Sequence, residues 1–351
     1  MRPSGLTTFD LERARDVVRA GTPENTRKAR EGDERYWTQW CGARGLDPAP
    51  PVSVEAVMAF VTDHVEGLPP DVEERMRSAG RRYDTRPSGA AHAISTVRRR
   101  LCTVKAMHAE RDLVSPTDGP AFRKFLSLAA KAVAARGDAV VKSEALTLDL
   151  LDTVLDTLPV DGTLRQRRDR ALLLVAFASG GRRRSEVARM HTRSLREGVD
   201  GEGVPATTWI LGRTKTDGDG STGLVVPIVG RAHVALRSWM RAAGIDDGWV
   251  FRGVGPDGRT GDGPMGGTTV WDVVKRRCAG AGLDVARLTP HSLRAGFMTE
   301  GERQGLTIES RMGMSGHSDL RTAMGYVRVE AALRSPAARI AEKRDGGQAA
   351  S

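Results

Sequence analysis

Cysteine is scarce in this chain. Cys41, Cys102 and Cys278 are its only thiols, they lie far apart, and no CxxC occurs. That spacing excludes a disulfide scaffold and offers no zinc motif, and three sparse thiols fit a reducing, cytoplasmic setting. Long apolar runs are missing too. The longest, Ala171 to Ala178, is far below the roughly 20 residues that a membrane-spanning helix needs. The first residues, MRPSGLTTFDLERARDVV, are too polar for a secretory signal. No GxxxxGK[ST] is present, so nothing suggests a P-loop nucleotide site. A GxGxxG does occur at Gly218, Gly220 and Gly223, but the apolar run GLVVPI follows it. The dinucleotide fingerprint requires a helix there, so these glycines are read as a hairpin turn and no cofactor is expected. No internal repeat is visible. Tyrosine is rare as well, with Tyr36, Tyr83 and Tyr326 only.

What the chain has in excess is positive charge. Its 351 residues carry 54 Lys and Arg against 44 Asp and Glu, a formal +10. Most of these cations are Arg, whose planar fork suits phosphate oxygens. An excess of this sign favours nucleic acid as partner, with an anionic membrane surface as the weaker use of the same charge.

The length predicts two domains. Residues 1–24 are read as a polar lead-in and 25–140 as an all-helical domain. A helix is expected from Asn25 with Tyr36, Trp37 and Trp40 on its apolar side. A second begins at Ser53 as N-cap, with Val57, Phe60 and Val61 inward. Pro69 to Gly89 is polar and read in part as loop. A third helix, AISTVRRRLCTVKAMHAERD, turns Ile94, Val97, Leu101 and Val104 inward and is expected to present Arg98, Arg99, Arg100 and Lys105 on its opposite side. PAFRKFLSLAAKAVAARG is the fourth. The polar break GDAVVKS around residues 137–143 marks the boundary. Beyond it, residues 141–342 form a mixed domain: helices LTLDLLDTVLDTL and RDRALLLVAFASG, an antiparallel strand pair TTWILGRTKT and TGLVVPIVG, and a further helix AHVALRSWMRAAG. GVGPDGRTGDGPMGG is read as a Gly-rich surface loop, and residues 343–351 as a disordered tail. The expected fold class is mainly α with a small antiparallel β-sheet.

Several short motifs in the second half fall in a fixed order. GGRRRSEVARM holds Arg183 and Glu186; ILGRTKT holds Arg213 and Lys215; LTPHSLRAGF holds His291 and Arg294; MGMSGHSDLRTAMGYVRV holds His317 and Tyr326. The order Arg, Lys, His-x-x-Arg, His, Tyr is far more specific than any one piece. A second HxxR, His108 and Arg111, lacks such company and reads as structural.

This constellation resembles the tyrosine recombinase (phage integrase) family in its Cre/Xer-like form, and the resemblance covers nearly the whole chain. It implies a helical core-binding (SAM-like) domain followed by a catalytic domain. It implies Tyr326 as nucleophile, Arg183 and Arg294 as donors to the nonbridging phosphate oxygens, and Lys215 as general acid. His291 and His317 would orient the phosphate or the tyrosine, and Glu186 would brace a neighbour. The family pattern has an apolar residue before its first catalytic arginine. In the run Arg182-Arg183-Arg184, counting back from Ser185-Glu186 selects Arg183. The resemblance further implies no metal and no cofactor, double-stranded DNA sites as partner, with contacts from Arg98, Arg99, Arg100, Lys105 and Arg213, and a homotetramer on two sites, a dimer per site, held by a C-terminal helix in the 329–340 region. A type IB topoisomerase and a non-catalytic DNA-binding relative are the rival readings. The lead-in is too short for an extra arm-binding domain.

Overall fold

The structure, a computed structural model, describes residues 24–79, 87–136, 143–211 and 224–317, with isolated flanking positions (13, 16, 17, 20–22, 319 and 320). Arg213, Lys215, Gly218 to Gly223, Tyr326, the expected C-terminal helix and the 343–351 tail lie outside the described residues. The chain divides into two compact units, residues 1–140 and 141–351. Among the described residues no helix is long and apolar enough to cross a membrane.

The first unit is helical throughout: α1 (Glu24–Arg44), α2 (Val54–Glu66), α3 (Pro70–Ser78), α4 (Ile94–Ala109) and α5 (Pro120–Ala135). Its core is aromatic, with Trp37, Trp40 and Phe60 fully buried together. Ser53 accepts a hydrogen bond from the Ala56 amide and starts α2, a cap worth about 1 kcal/mol. Beside the aromatics lies a buried polar chain. His64 Nδ1 donates to the Phe60 carbonyl at 2.6 Å, so its Nε2 accepts from the Tyr36 hydroxyl at 2.8 Å. The Tyr36 oxygen also meets His92 Nε2 at 3.2 Å, and His92 Nδ1 accepts a hydrogen bond from Arg100 Nη1 at 3.1 Å. His108 is structural: its Nδ1 donates to the Val104 carbonyl and its Nε2 accepts from the Val52 amide.

The segment read in part as loop also holds a helix, α3, with Val72 and Met76 buried. Two apolar positions are too few to announce a helix in a polar stretch. One expectation is corrected here: Arg100 does not join its neighbours on an exposed side of α4. Its guanidinium sits 3.3 Å from the centre of the Tyr36 ring, with the residue 8% exposed. Arg98, Arg99 and Lys105 are exposed, with Arg99 paired to Asp33 and Lys105 to Asp118.

The second unit begins with α6 (Leu148–Asp156) and α7 (Leu164–Ala178). Thr163 and Gln166 form a reciprocal cap at the start of α7. This helix is buried almost all round, from Ala171 to Phe177, which explains its unbroken apolar run. A short helix α8 (Arg184–Ala188) leads into a three-stranded antiparallel sheet, β1 (Leu195–Val199), β2 (Pro205–Ile210) and β3 (Val225–Ile228), in the order β1-β2-β3. Trp209 faces Leu195 on one side and Val226 on the other. The β2–β3 pair is the one expected. β1 was not foreseen, because LREGV buries only Leu195. Helix α9 (Gly230–Ala242) packs on α7 and β2. The presumed Gly-rich loop is instead a hairpin, β4 (Arg252–Val254) with β5 (Thr260–Pro264). Its strands are exposed, so no alternation marks them. Helices α10 (Gly267–Gly280), α11 (Ser292–Arg303) and α12 (Ile308–Ser315) complete the unit.

The placement of Arg100 separates it from Arg98 by experiment. Arg100→Ala removes a buried cation–ring contact and a buried hydrogen bond and is expected to cost about 2–4 kcal/mol in urea unfolding. Arg98→Ala, on the exposed side, is expected to stay within about 0.5 kcal/mol.

Candidate active site

The site forms at the end of α7. Ser179 closes that helix, and Gly180 and Gly181 follow with φ of +85° and +65°. Glycine is required there for two reasons. The backbone is left-handed, which other residues adopt at a cost. The packing also leaves no room: a Cβ on Gly180 would lie 2.5 Å from the Met314 carbonyl oxygen, and one on Gly181 only 2.1 Å from the Arg294 Cα. The double glycine therefore brings the α7–α8 turn into backbone contact with both α11 and α12. Arg182, the first arginine after it, reaches the Met314 carbonyl of α12.

Arg294 is buried in the first turn of α11. Its Nε donates to His317 Nε2 at 2.9 Å. With Nε2 accepting, the imidazole proton is on Nδ1, which meets the Ser315 hydroxyl at 2.6 Å. His317 follows Gly316, the left-handed cap of α12. His291 precedes the first residue of α11 on its exposed side, and its carbonyl accepts from the Ala295 amide. Arg183 precedes the first residue of α8. Glu186 embraces it, accepting from the Arg183 guanidinium at 2.9 Å and from its backbone amide at 3.1 Å. The Arg183 side chain remains 40% exposed.

The electrostatics of this cluster are one-sided. Burial, followed by Arg294, Arg183, Arg182 and His291, pushes His317 down to about 4. Burial, Arg294, Arg183 and Arg184 also lower His291. Arg183 thus acts on both imidazoles, whereas Arg182 acts on His317 alone. At neutral pH the site holds Arg183, Arg294 and a neutral His317, with Glu186 paired to Arg183. Such a cluster suits an anion whose charge is spread over several oxygens, since each guanidinium fork can donate twice.

Arg183, Glu186, His291, Arg294 and His317 are thus brought together. Lys215, Arg213 and Tyr326 lie outside the described residues. Sequence reasoning missed Arg182, Ser315 and the steric role of the two glycines. A Gly-Gly pair after a long apolar run was the readable signal for the turn. Nothing in three consecutive arginines distinguishes the buried one.

Residues 145–332 match the phage integrase family. The chain is 26% identical over 320 residues to a tyrosine recombinase XerD of Corynebacterium glutamicum, spanning 90% of this chain and 91% of that protein. It is 24% identical over 316 residues to an integrase/recombinase XerD homolog of Selenomonas ruminantium, across 87% of this chain and 81% of that one. Among solved structures, the Tn1549 transposon integrase in complex with transposon right end DNA aligns with a TM-score of 0.54 at 17% identity, covering 96% of this chain and 100% of that one. At that identity the likeness is one of fold.

Two measurements check the geometry. Gly181→Ala is expected to separate the turn from α11, lowering the melting temperature and costing about 1–3 kcal/mol. His317 should titrate by NMR with a midpoint near 4, well below the usual 6.5. The unfolded chain binds a proton in that window that the folded one refuses. This contribution to stability is therefore complete above about pH 6.5 and is lost as the pH falls toward 4. Arg294→Gln removes the nearest cation and should raise the midpoint.

Proposed function

The chain belongs to the phage integrase family, and from that premise we propose that it is a site-specific DNA recombinase that cuts and rejoins strands through a covalent bond to Tyr326. The observation that carries the proposal is the convergence of Arg183, Arg294, His291 and His317 around the Gly180–Gly181 turn. These side chains come from three separate stretches of sequence and leave a concentrated positive charge.

In this reading a DNA phosphodiester enters between Arg183 and Arg294. Each guanidinium donates to nonbridging oxygens and stabilises the charge that grows on the pentacoordinate phosphorus. A preorganised donor of this kind is worth on the order of 10²–10³ in rate. Glu186 orients the Arg183 fork, and Ser315 orients His317 by holding its Nδ1 proton. His291, lowered by its surroundings, is a base available at neutral pH and accepts the Tyr326 proton. The Tyr326 oxygen attacks phosphorus, the bond to the 5′-oxygen breaks, and Lys215 delivers a proton to that leaving oxygen. The products are a 3′-phosphotyrosine and a free 5′-hydroxyl. The phosphotyrosine ester retains the energy of the phosphodiester, so a 5′-hydroxyl from a second duplex reseals the strand without ATP. The two Arg forks supply the positive charge that a metal provides in other phosphoryl-transfer sites.

Strand exchange between two duplexes then passes through a Holliday junction, with a dimer on each DNA site and a homotetramer over both. The exposed Arg98, Arg99 and Lys105 of α4 supply backbone contacts from the first unit, and Arg213 contributes from the second. The chain is expected to act on DNA in the cytoplasm. Support for these steps comes from the family and the homologous recombinases.

Tyr326→Phe is expected to abolish covalent protein–DNA adducts on denaturing gels while DNA binding by gel shift stays within about twofold. Adducts that persist would assign the nucleophile elsewhere. Relaxation of supercoiled plasmid with no sequence dependence and no strand exchange would replace recombination with a topoisomerase activity.

A further inference from the structure

Arg182 occupies the position where the family pattern places an apolar residue, and it is buried, with a side chain only 1% exposed. A guanidinium does not enter a protein interior without compensation. Its partners are the ends of two helices. Nε donates to the carbonyl of Ser179, the residue that closes α7, at 2.9 Å. Nη2 donates to the carbonyl of Met314 in the last turn of α12. Both carbonyls belong to the terminal groups that a helix leaves without internal partners, and both helix ends carry partial negative charge. Glu186 Oε2 stands 3.9 Å from Nη1. The arginine is therefore compensated on three sides, and its fork reaches from the end of α7 to Met314, 132 positions further along the chain than Arg182.

Those elements carry the reacting groups. Arg183 is the next residue after Arg182, and His317 lies three positions beyond Met314. Gly316, between Met314 and His317, is packed so closely that a Cβ there would meet Arg182 Nη1 at 2.9 Å. We propose that Arg182 is a positioning residue, a clamp that ties the turn bearing Arg183 to the end of α12 and so sets the distance between Arg183 and His317 for phosphoryl transfer. The inference rests on the recombinase reading of the site. The same cation also helps to hold His317 low, through charge rather than contact.

An apolar side chain fills the space but joins nothing, and a lysine keeps the charge but cannot fork. Arg182→Leu and Arg182→Lys in the full chain therefore separate the clamp from the charge. A misplacement of about 1 Å at such a site costs up to about 100-fold in rate. Arg182→Leu is expected to slow single-turnover cleavage of a DNA site by about 10- to 100-fold, with the dissociation constant for that DNA within about threefold. Its acid limb in the pH–rate profile should move to higher pH, because His317 then accepts a proton more readily. Arg182→Lys is expected to remain at least about tenfold slow, with the His317 midpoint near that of the unmodified protein.

Cleavage by Arg182→Leu at the original rate with an unshifted acid limb overturns the proposal. Full recovery of the rate in Arg182→Lys also overturns it, since charge alone would then suffice. Should Arg182→Leu fail to fold, Arg182→Lys decides by the same rate criterion. The His317 midpoint is read by NMR without DNA. Absence of Tyr326-dependent adducts in the unmodified chain would defeat the recombinase reading itself, whatever the midpoint does.

Discussion

Like charges must be held together here. Arg182, Arg183 and Arg294 converge, and among the described residues Glu186 faces the first two. Repulsion among them is offset in three ways. Helix-terminal carbonyls take the donors of Arg182. Glu186 takes those of Arg183. His317, kept neutral, accepts from Arg294. Of the three, only Arg183 retains a large exposed surface. The same crowding adds to burial in lowering both imidazoles.

Arginine does similar internal work elsewhere. Arg170 donates to the Leu155 and Leu158 carbonyls at the end of α6. Arg311 reaches the Met298 carbonyl and so holds α12 to α11. Arg168, Arg276 and Arg277 surround the fully buried Asp169. The count of 54 Lys and Arg therefore overstates the cations free to meet an outside anion, because many of them face carbonyls and carboxylates inside their own unit.

What the sequence made legible follows from what repeats or recurs. Long apolar faces announced α1, α2, α4 and α7, and Ser53 announced its own cap. The β2–β3 pair was readable from alternation around Val226 and Ile228. The cluster of Arg183, Glu186, His291, Arg294 and His317 was readable because its motifs occur in order. Elements that bury little left no trace: α3 hides two side chains, β1 one, and the β4–β5 hairpin almost none. Arg100 was misread and Arg182 overlooked for a different reason. Each sits in a run of three arginines, and hydrophobicity assigns all three to solvent. Burial of one depends on partners far away in the chain, Tyr36 for Arg100 and Met314 for Arg182.

The reach of the Arg182 fork has a consequence for biosynthesis. Contacts between distant segments form late, because loop closure precedes their reward. Until the ribosome has released residue 314, Arg182 has no second anchor and the turn beside it has no wall. A nascent chain thus carries the first arginine of its site long before it can arrange it. Translation itself delays the assembly of this cluster until α12 has been made and folded.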